Sequence, residues 1–476
     1  MNKFAAKILI FSIFLLWPTW VMADSFLPLY IGGVDPGITT MPVTTGIINN
    51  PAVIGKIENT RFSMYFSPVF QFLDVNRATI SSVTGLPSPG GDLVFDEVGY
   101  SNNIYDYFVG MTTDFGYDRI TLGLAIYSPF RQEFKQLPSP LRYHLSDRNF
   151  FNLFITPVVS MKLHRKFYFG FGLSYIYSRF RLGLVRDRYL RADLPESAEE
   201  RFEAKGIANE KITVDSSDNN FGFSFGFYYL PKKWLEFGGT YRSKIRSLDS
   251  ASVETHGKGY ITRYFDGEGY KTLEGNSKME TTFPDIISLG AKIKLSRNWW
   301  GDFTLSWIRW SSHQKLQVLL TGSDFTNVAL RNWDLNISSY RGFQDVLTPQ
   351  FTFMYKPHKG FNFNTAIRYL PPATPEKWVN PAAVDNHSLT LQFTASFEVF
   401  EFVNLKVGYG IDWMIPLNVE NSGYDPNLAR ICIENHIDVV WCSECQDTYQ
   451  GKAVSSGNGN YKRITHQVGI GVDFNF

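Results

Sequence analysis

The sequence predicts an all-β protein, a transmembrane antiparallel β-barrel of about 14 strands with an N-terminal hatch, or plug, inside the lumen. Three observations carry this expectation. The chain opens on an export signal, no later apolar run is long enough for a membrane helix, and short segments alternate apolar and polar residues many times over.

Residues 1–23 have the three parts of a secretory signal. Lys3 and Lys7 supply the positive start, Ile8 to Trp17 the apolar stretch, and Val21-Met22-Ala23 the small-residue cleavage pattern, so the mature chain is expected to begin near Asp24. A helical anchor would need a longer apolar stretch without Pro18, and no lipobox cysteine follows for a lipid anchor.

Composition excludes other classes. Across 476 residues the net charge is +1 and 19% are charged, which offers no basic patch for nucleic acid. Aromatic residues reach 16%, with 41 Phe, 25 Tyr and 11 Trp. A soluble core could not absorb so many Phe set in short alternating runs, whereas a lipid-facing wall could.

The alternation is clearest at the end of the chain. Ile464, Val468, Ile470, Val472, Phe474 and Phe476 interleave with Arg463, Thr465, Gln467, Gly469, Gly471, Asp473 and Asn475. Val403 to Trp413, Leu389 to Phe397, Phe361 to Ile367 and Phe221 to Phe227 repeat the pattern. In a barrel one face meets lipid and the other the lumen, so a period of two follows. Strands are read at 60–77, 105–117, 119–134, 148–164, 166–186, 217–230, 234–256, 273–296, 299–320, 340–356, 361–370, 385–399, 402–417 and 461–476. Tight links alternate with long loops at 78–104, 187–216, 257–272, 321–339 and 418–460, the rhythm of short periplasmic turns and long outer loops. Pro195, Glu196, Glu199, Glu200 and Gly206 frame a short helix in the second of these loops.

Residues 24–58 do not alternate. A flexible leader is one reading, but Phe26, Leu27, Leu29, Tyr30 and Ile31 make the start of the segment apolar. The other reading folds the segment into the lumen as a plug, where its backbone finds partners, with Phe26, Leu27, Leu29 and Tyr30 as candidate ligand contacts. Cys432, Cys442 and Cys445 suit one disulfide plus a free thiol in an exported chain; a metal site with His436 is the alternative, though the spacing fits no standard zinc module. No cofactor is expected. No G-x-S-x-G, P-loop or H-E-x-x-H pattern occurs, and a barrel phospholipase would need a Ser and His pair on one lipid-facing side.

A segment ending in Asn50-Pro51-Ala52 directly before Arg61-Phe62-Ser63-Met64-Tyr65 resembles the hatch of the long-chain fatty acid transporter family of outer-membrane proteins (FadL/TodX type). Tyr127-Ser128-Pro129-Phe130, Tyr241-Arg242-Ser243, Phe283-Pro284-Asp285, Trp307-Ile308-Arg309-Trp310-Ser311, Arg341-Gly342-Phe343-Gln344-Asp345 and the Pro-rich 370–375 segment follow in the family order. The resemblance implies a 14-stranded barrel, capture of a hydrophobic molecule in an outer groove, passage to a site touching the hatch, and lateral escape at an inward bend of the third strand. Pro129, Phe130 and Arg131 are the expected bend, because proline cannot donate to the ladder. Three departures stand out: the hatch carries Thr39-Thr40-Met41-Pro42 and Ile47-Ile48 in place of a Gly/Ala-rich stretch with Asp, Arg131 stands where Gly is common, and the carboxylate-binding cations of fatty-acid members fall near Leu184 and Ser339. Arg186 and Arg341 share parity with those positions and are the candidate cations for an acidic ligand.

The expected function is passive uptake of hydrophobic small molecules, without enzyme activity, by a monomer in the bacterial outer membrane. Lipid and lipopolysaccharide are the expected surroundings, and the resemblance implies that the terminal aromatic, Phe476, aids recognition by the barrel-assembly machinery. A general porin with an occluding N-terminal segment would instead need an arginine ladder facing an acidic constriction. A surface adhesin or receptor would need a loop of domain size.

Overall fold

The structure is a computed structural model that describes residues 33–81, 98–129, 132–134, 141, 146–187, 209–265, 270–326, 336–420 and 453–476. The expected helix at 195–206 and the three cysteines lie outside the described residues.

Strand segments are β1 Thr60–Ser81, β2 Val98–Thr113, β3 Ile120–Tyr127, β4 Gln132–Phe134, β5 Asp147–His164, β6 Phe167–Asp187 and β7 Asn209–Lys232. They continue as β8 Leu235–Arg242, β9 Val253–Phe265, β10 Tyr270–Thr281, β11 Ile286–Lys294, β12 Trp299–Ile308 and β13 Lys315–Thr321. The last are β14 Asn336–Tyr340, β15 Val346–His358, β16 Phe361–Leu370, β17 Ser388–Phe400, β18 Val403–Met414, β19 Leu417–Val419 and β20 Ala453–Asn475. Six pairs of segments are broken halves of single staves: β3 with β4, β8 with β9, β10 with β11, β12 with β13, β14 with β15, and β18 with β19. The result is a closed antiparallel barrel of 14 strands. Closure is made where β1 pairs β2 on one side and β20 on the other, with Phe62 opposite both Met111 and Phe474.

Burial is inverted relative to a water-soluble protein. Met64, Phe66, Leu124, Leu289, Phe351, Phe393 and Ile470 are exposed, whereas Ser63, Ser67, Thr156, Thr304, Gln350, Thr394 and Gln467 are buried. So continuous an apolar outer surface far exceeds what a soluble monomer tolerates, and suits lipid. Exposed Tyr117 and Trp234, and Trp299 stacked on Tyr355 at 4.5 Å, sit by the tight turns as an interfacial belt.

Differences from expectation are concentrated away from the tight turns. β2 begins at Val98, β7 at Asn209, β9 runs to Phe265, β14 begins at Asn336 and β20 at Ala453, all inside segments read as loops. There the strands have left the lipid layer, so an apolar outer face is no longer required and the alternation that marks a strand fades.

Candidate functional site

The chain from Gly33 to Ile57 is almost wholly buried and bonds to staves on all sides of the ring. Thr40 Oγ1 donates to Asp302 Oδ2 at 2.5 Å on β12, and Gln350 Nε2 on β15 donates to Pro36 O at 2.7 Å. Asn50 Nδ2 donates to Phe227 O on β7 at 2.9 Å, and Ser160 Oγ on β5 to Ala52 O at 3.0 Å. Ser63 Oγ on β1 lies 2.7 Å from both Thr44 Oγ1 and Asp473 Oδ1. Asp473 is in turn paired with Lys406 Nζ at 2.9 Å, and Tyr65 OH joins both.

Local chemistry explains why this stretch adopts its shape. Asn50 Oδ1 accepts from Ala52 N at 3.0 Å, an Asx turn that leaves Pro51, which has no N–H, at the corner. A short α-helix at Gly46–Asn49 and a 3-10 turn at Val53–Lys56 flank it. The seat is made of small residues. A Cβ on Gly226 would lie 2.0 Å from Asn50 Oδ1, and one on Gly170 would lie 2.3 Å from the Pro51 carbonyl carbon. The Gly and Ser positions of the lumen face therefore let backbone approach backbone. At the exit, Gly116 N and Asn59 N both donate to the Asp114 carboxylate at 2.9 Å and hold it below its ordinary range.

Above this segment opens a cleft with about 560 Å³ of empty space, its mouth included. Ile47 and Ile48 form its floor; Phe154, Ile176, Phe223, Ile245, Phe283, Pro284 and Ile286 line it, and Pro129 stands at its edge. Four polar side chains enter it from β5 to β8: Thr156, Ser174, Ser224 and Arg242. The breaks between strand halves supply much of the lining. Ile245 lies between β8 and β9, and Phe283 and Pro284 lie between β10 and β11, where the chain leaves the ladder and apolar side chains can turn inward.

The third stave breaks in the same region. The β2–β3 ladder stops at Phe108 opposite Tyr127, although β1 and β2 stay paired out to Val98. β3 pairs β5 up to Tyr127 opposite Phe154, and β4 resumes the ladder with Gln132 opposite Phe150. Pro129 lies in that interval.

The sequence model of a family described as "Outer membrane protein transport protein (OMPP1/FadL/TodX)" matches residues 43–410. The chain belongs to this family. As a FadL/TodX-family member it is a bacterial outer-membrane channel for hydrophobic compounds. No curated protein matches the chain. Among solved structures, a Pseudomonas aeruginosa FadL homologue superposes with a TM-score of 0.72 at 14% identity, covering 96% of this chain and 100% of its own. The Pseudomonas putida toluene transporter TodX gives 0.62 at 12% identity, with 95% and 99% covered. The Ralstonia pickettii toluene transporter TbuX gives 0.59 at 12%, with 94% and 98% covered. At such identities these three likenesses speak for the fold.

The structure brings some of the expected site residues together. Asn50, Pro51 and Ala52 are buried in the lumen beside the cleft floor, and Pro129 lines the cleft. Phe26, Leu27, Leu29, Tyr30, Phe130 and Arg131 lie outside the described residues, as does the Arg186 side chain, although Arg186 itself is on β6 opposite Glu210. Arg341 is buried between β14 and β15, away from the cleft lining, and its Nη1 donates to Ala382 O at 3.4 Å. Sequence reasoning assigned no ligand contact to Arg242. Parity is the signal that exposes it, because on β8 it shares the lumen face with Glu236, Gly238 and Thr240.

Proposed function

We propose that this channel takes up hydrophobic molecules without an energy source, with residues 24–58 as a hatch and the break in the third stave as a lateral exit. Ligand captured outside enters the cleft, the hatch yields beside Asn50-Pro51-Ala52, and the molecule leaves sideways past Pro129. One observation carries the reading: a single cleft is floored by Ile47 and Ile48 of the N-terminal segment and edged by Pro129 of the broken stave. Apolar walls suit such cargo, since burying apolar area contributes about 25 cal/mol per Å². The bonds that seat the segment include neutral ones from Asn50 and Ser160, worth about 1 kcal/mol each, which a bound ligand could exchange.

Fastening the segment tests this. Thr44→Cys with Ser63→Cys, in a chain whose Cys432, Cys442 and Cys445 are changed to Ser, places two thiols where hydroxyls now lie 2.7 Å apart. Uptake of a radiolabelled hydrophobic probe by whole cells should fall to background when the crosslink forms and return on reduction. Undiminished uptake with the crosslink complete would sink the hatch route.

A further inference from the structure

On the outer face of the wall, above the apolar band, several cations are matched one to one with carboxylates. Arg179 pairs Asp215 at 2.9 Å, Lys211 pairs Asp147 at 2.7 Å, Lys258 pairs Glu274 at 3.0 Å and Lys278 pairs Glu254 at 2.8 Å. The breaks between β8 and β9, β10 and β11, and β12 and β13 bring together a group that is not matched. Arg309 Nη2 lies 2.7 Å from Asp285 Oδ2, Tyr241 OH donates to Asp285 Oδ1 at 2.8 Å, and the Lys244 N–H donates to the same oxygen at 3.1 Å. Asp285 is thus already engaged. Arg246 is exposed, is bridged through its backbone to Phe221 on β7, and bears together with Arg309 on the Tyr241 phenol. Among the described residues no carboxylate pairs with the side chain of Arg246 or of Lys244.

The height of this group on the wall is that of lipid headgroups. β12 leaves its tight turn at Trp299, in the interfacial belt, and Arg309 directly follows its last residue, Ile308. At about 3.3 Å per residue and a tilt of about 40°, that length of chain climbs about 25 Å, the height of a barrel's apolar band. Just below, Phe225, Ile287 and Leu289 are exposed to the lipid. Two guanidinium groups drawn to one phenol repel each other, a cost that an anion between them removes. Lys244, Arg246 and Arg309 against Asp285 leave a local charge of +2. A phosphate monoester carries about −1.5 to −2 at neutral pH, so one such group balances the excess.

We infer that Lys244, Arg246 and Arg309, beside the Tyr241 phenol, form a docking site for a phosphate group of lipopolysaccharide, whose acyl chains lie down the wall against Phe225, Ile287 and Leu289. The guanidinium forks meet phosphate oxygens with paired N–H bonds, and the lysine adds a point charge. Arg242, Ile245 and Pro284, the sequence neighbours of these residues, line the cleft on the inner side. The same strand breaks therefore shape the cleft within and hold a lipid without. The site follows from residence in the outer membrane and does not depend on the uptake route.

The test titrates the full-length protein in mild detergent with lipid A carrying both phosphates and with lipid A stripped of phosphate, reading the bound fraction by native mass spectrometry. Lys244→Gln with Arg246→Gln empties the site and leaves Arg309 to Asp285; Arg179→Gln with Lys258→Gln removes the same charge from matched positions on the same wall. Heat-modifiable mobility verifies that each variant is folded. Wild type should hold the phosphorylated lipid about tenfold or more tightly than the stripped one. The Lys244 and Arg246 variant should lose about tenfold for the phosphorylated lipid and stay within about twofold for the stripped one, and the Arg179 and Lys258 variant should stay within about twofold for both. Equal binding of the two lipids by wild type, or equal loss in the two double variants, overturns the site. Displacement of phosphorylated lipid A by low-millimolar inorganic phosphate overturns the lipid assignment, since a free anion would then suffice.

Discussion

Asn50-Pro51-Ala52 in the N-terminal segment and Asn380-Pro381-Ala382 between β16 and β17 are the same tripeptide in two settings. Both form the same turn, with the Asn side-chain oxygen accepting from the Ala N–H at 3.0 Å in the first and 2.9 Å in the second. Their surroundings differ. The first is seated on Gly170 and Gly226 and tied to the wall by an amide and a hydroxyl. The second is gripped by guanidinium groups: Arg148 Nη2 reaches Ala382 O at 2.7 Å, Arg341 Nη1 the same oxygen at 3.4 Å, and Arg463 Nη1 reaches Val384 O at 3.4 Å. Neutral hydrogen bonds contribute about 1 kcal/mol each and charged ones about 1.5–3 kcal/mol. A tripeptide thus sets the local turn, and its partners set how firmly the turn is held; the weaker grip belongs to the segment proposed to move.

The largest effect should come from breaking the firm grip. Arg463→Leu removes a donor to Val384 O and leaves Asp412 buried without its partner, so denaturant unfolding in lipid vesicles should show a loss of about 3–5 kcal/mol. Adding Asp412→Leu should return most of it, and a single-variant loss under about 1 kcal/mol would contradict the anchoring role.

An intermediate effect is expected from spoiling the seat of the other turn. Gly226→Leu puts side-chain atoms where Asn50 Oδ1 now lies, an overpacking that costs about 1–3 kcal/mol. The barrel should still fold, since the lipid-facing side of β7 is untouched, but the segment should be displaced. Liposome swelling with a small sugar should quicken several-fold; swelling no faster than wild type would mean that the segment does not occlude the lumen.

The smallest effects test the comparison most directly. Asn50→Ala and Asn380→Ala each lose the same turn bond, about 1 kcal/mol. Only Asn50→Ala should raise sugar leakage, because arginine donors still hold the second turn. Equal leakage from both would show that the different partners do not matter.

The strands within the lipid layer were legible because water and hydrocarbon on opposite faces impose a period of two that no other fold sustains over 14 staves. The third stave is interrupted between Tyr127 and Gln132, an interval that holds Pro129, whose absent N–H is a local property. The outer extensions of β7, β9 and β20 were not legible, since both faces there meet similar surroundings. Nor does any local pattern distinguish Asn50-Pro51-Ala52 from Asn380-Pro381-Ala382: the letters are identical, and the wall partners described above lie from 41 to 234 positions away.

By itself, then, the amino-acid order determined the barrel class and the lipid-facing side of most staves. Each depends on solvent or on a residue's own backbone. Tertiary structure alone decided that Gly170 and Gly226 are a seat, that Ile245, Phe283 and Pro284 meet Ile47 and Ile48 around one cleft, and that Arg242 enters it with no carboxylate paired to it among the described residues. Closing the ring brings residues hundreds of positions apart to one level of the lumen, and whether a buried charge has a partner there is a question of distance in space.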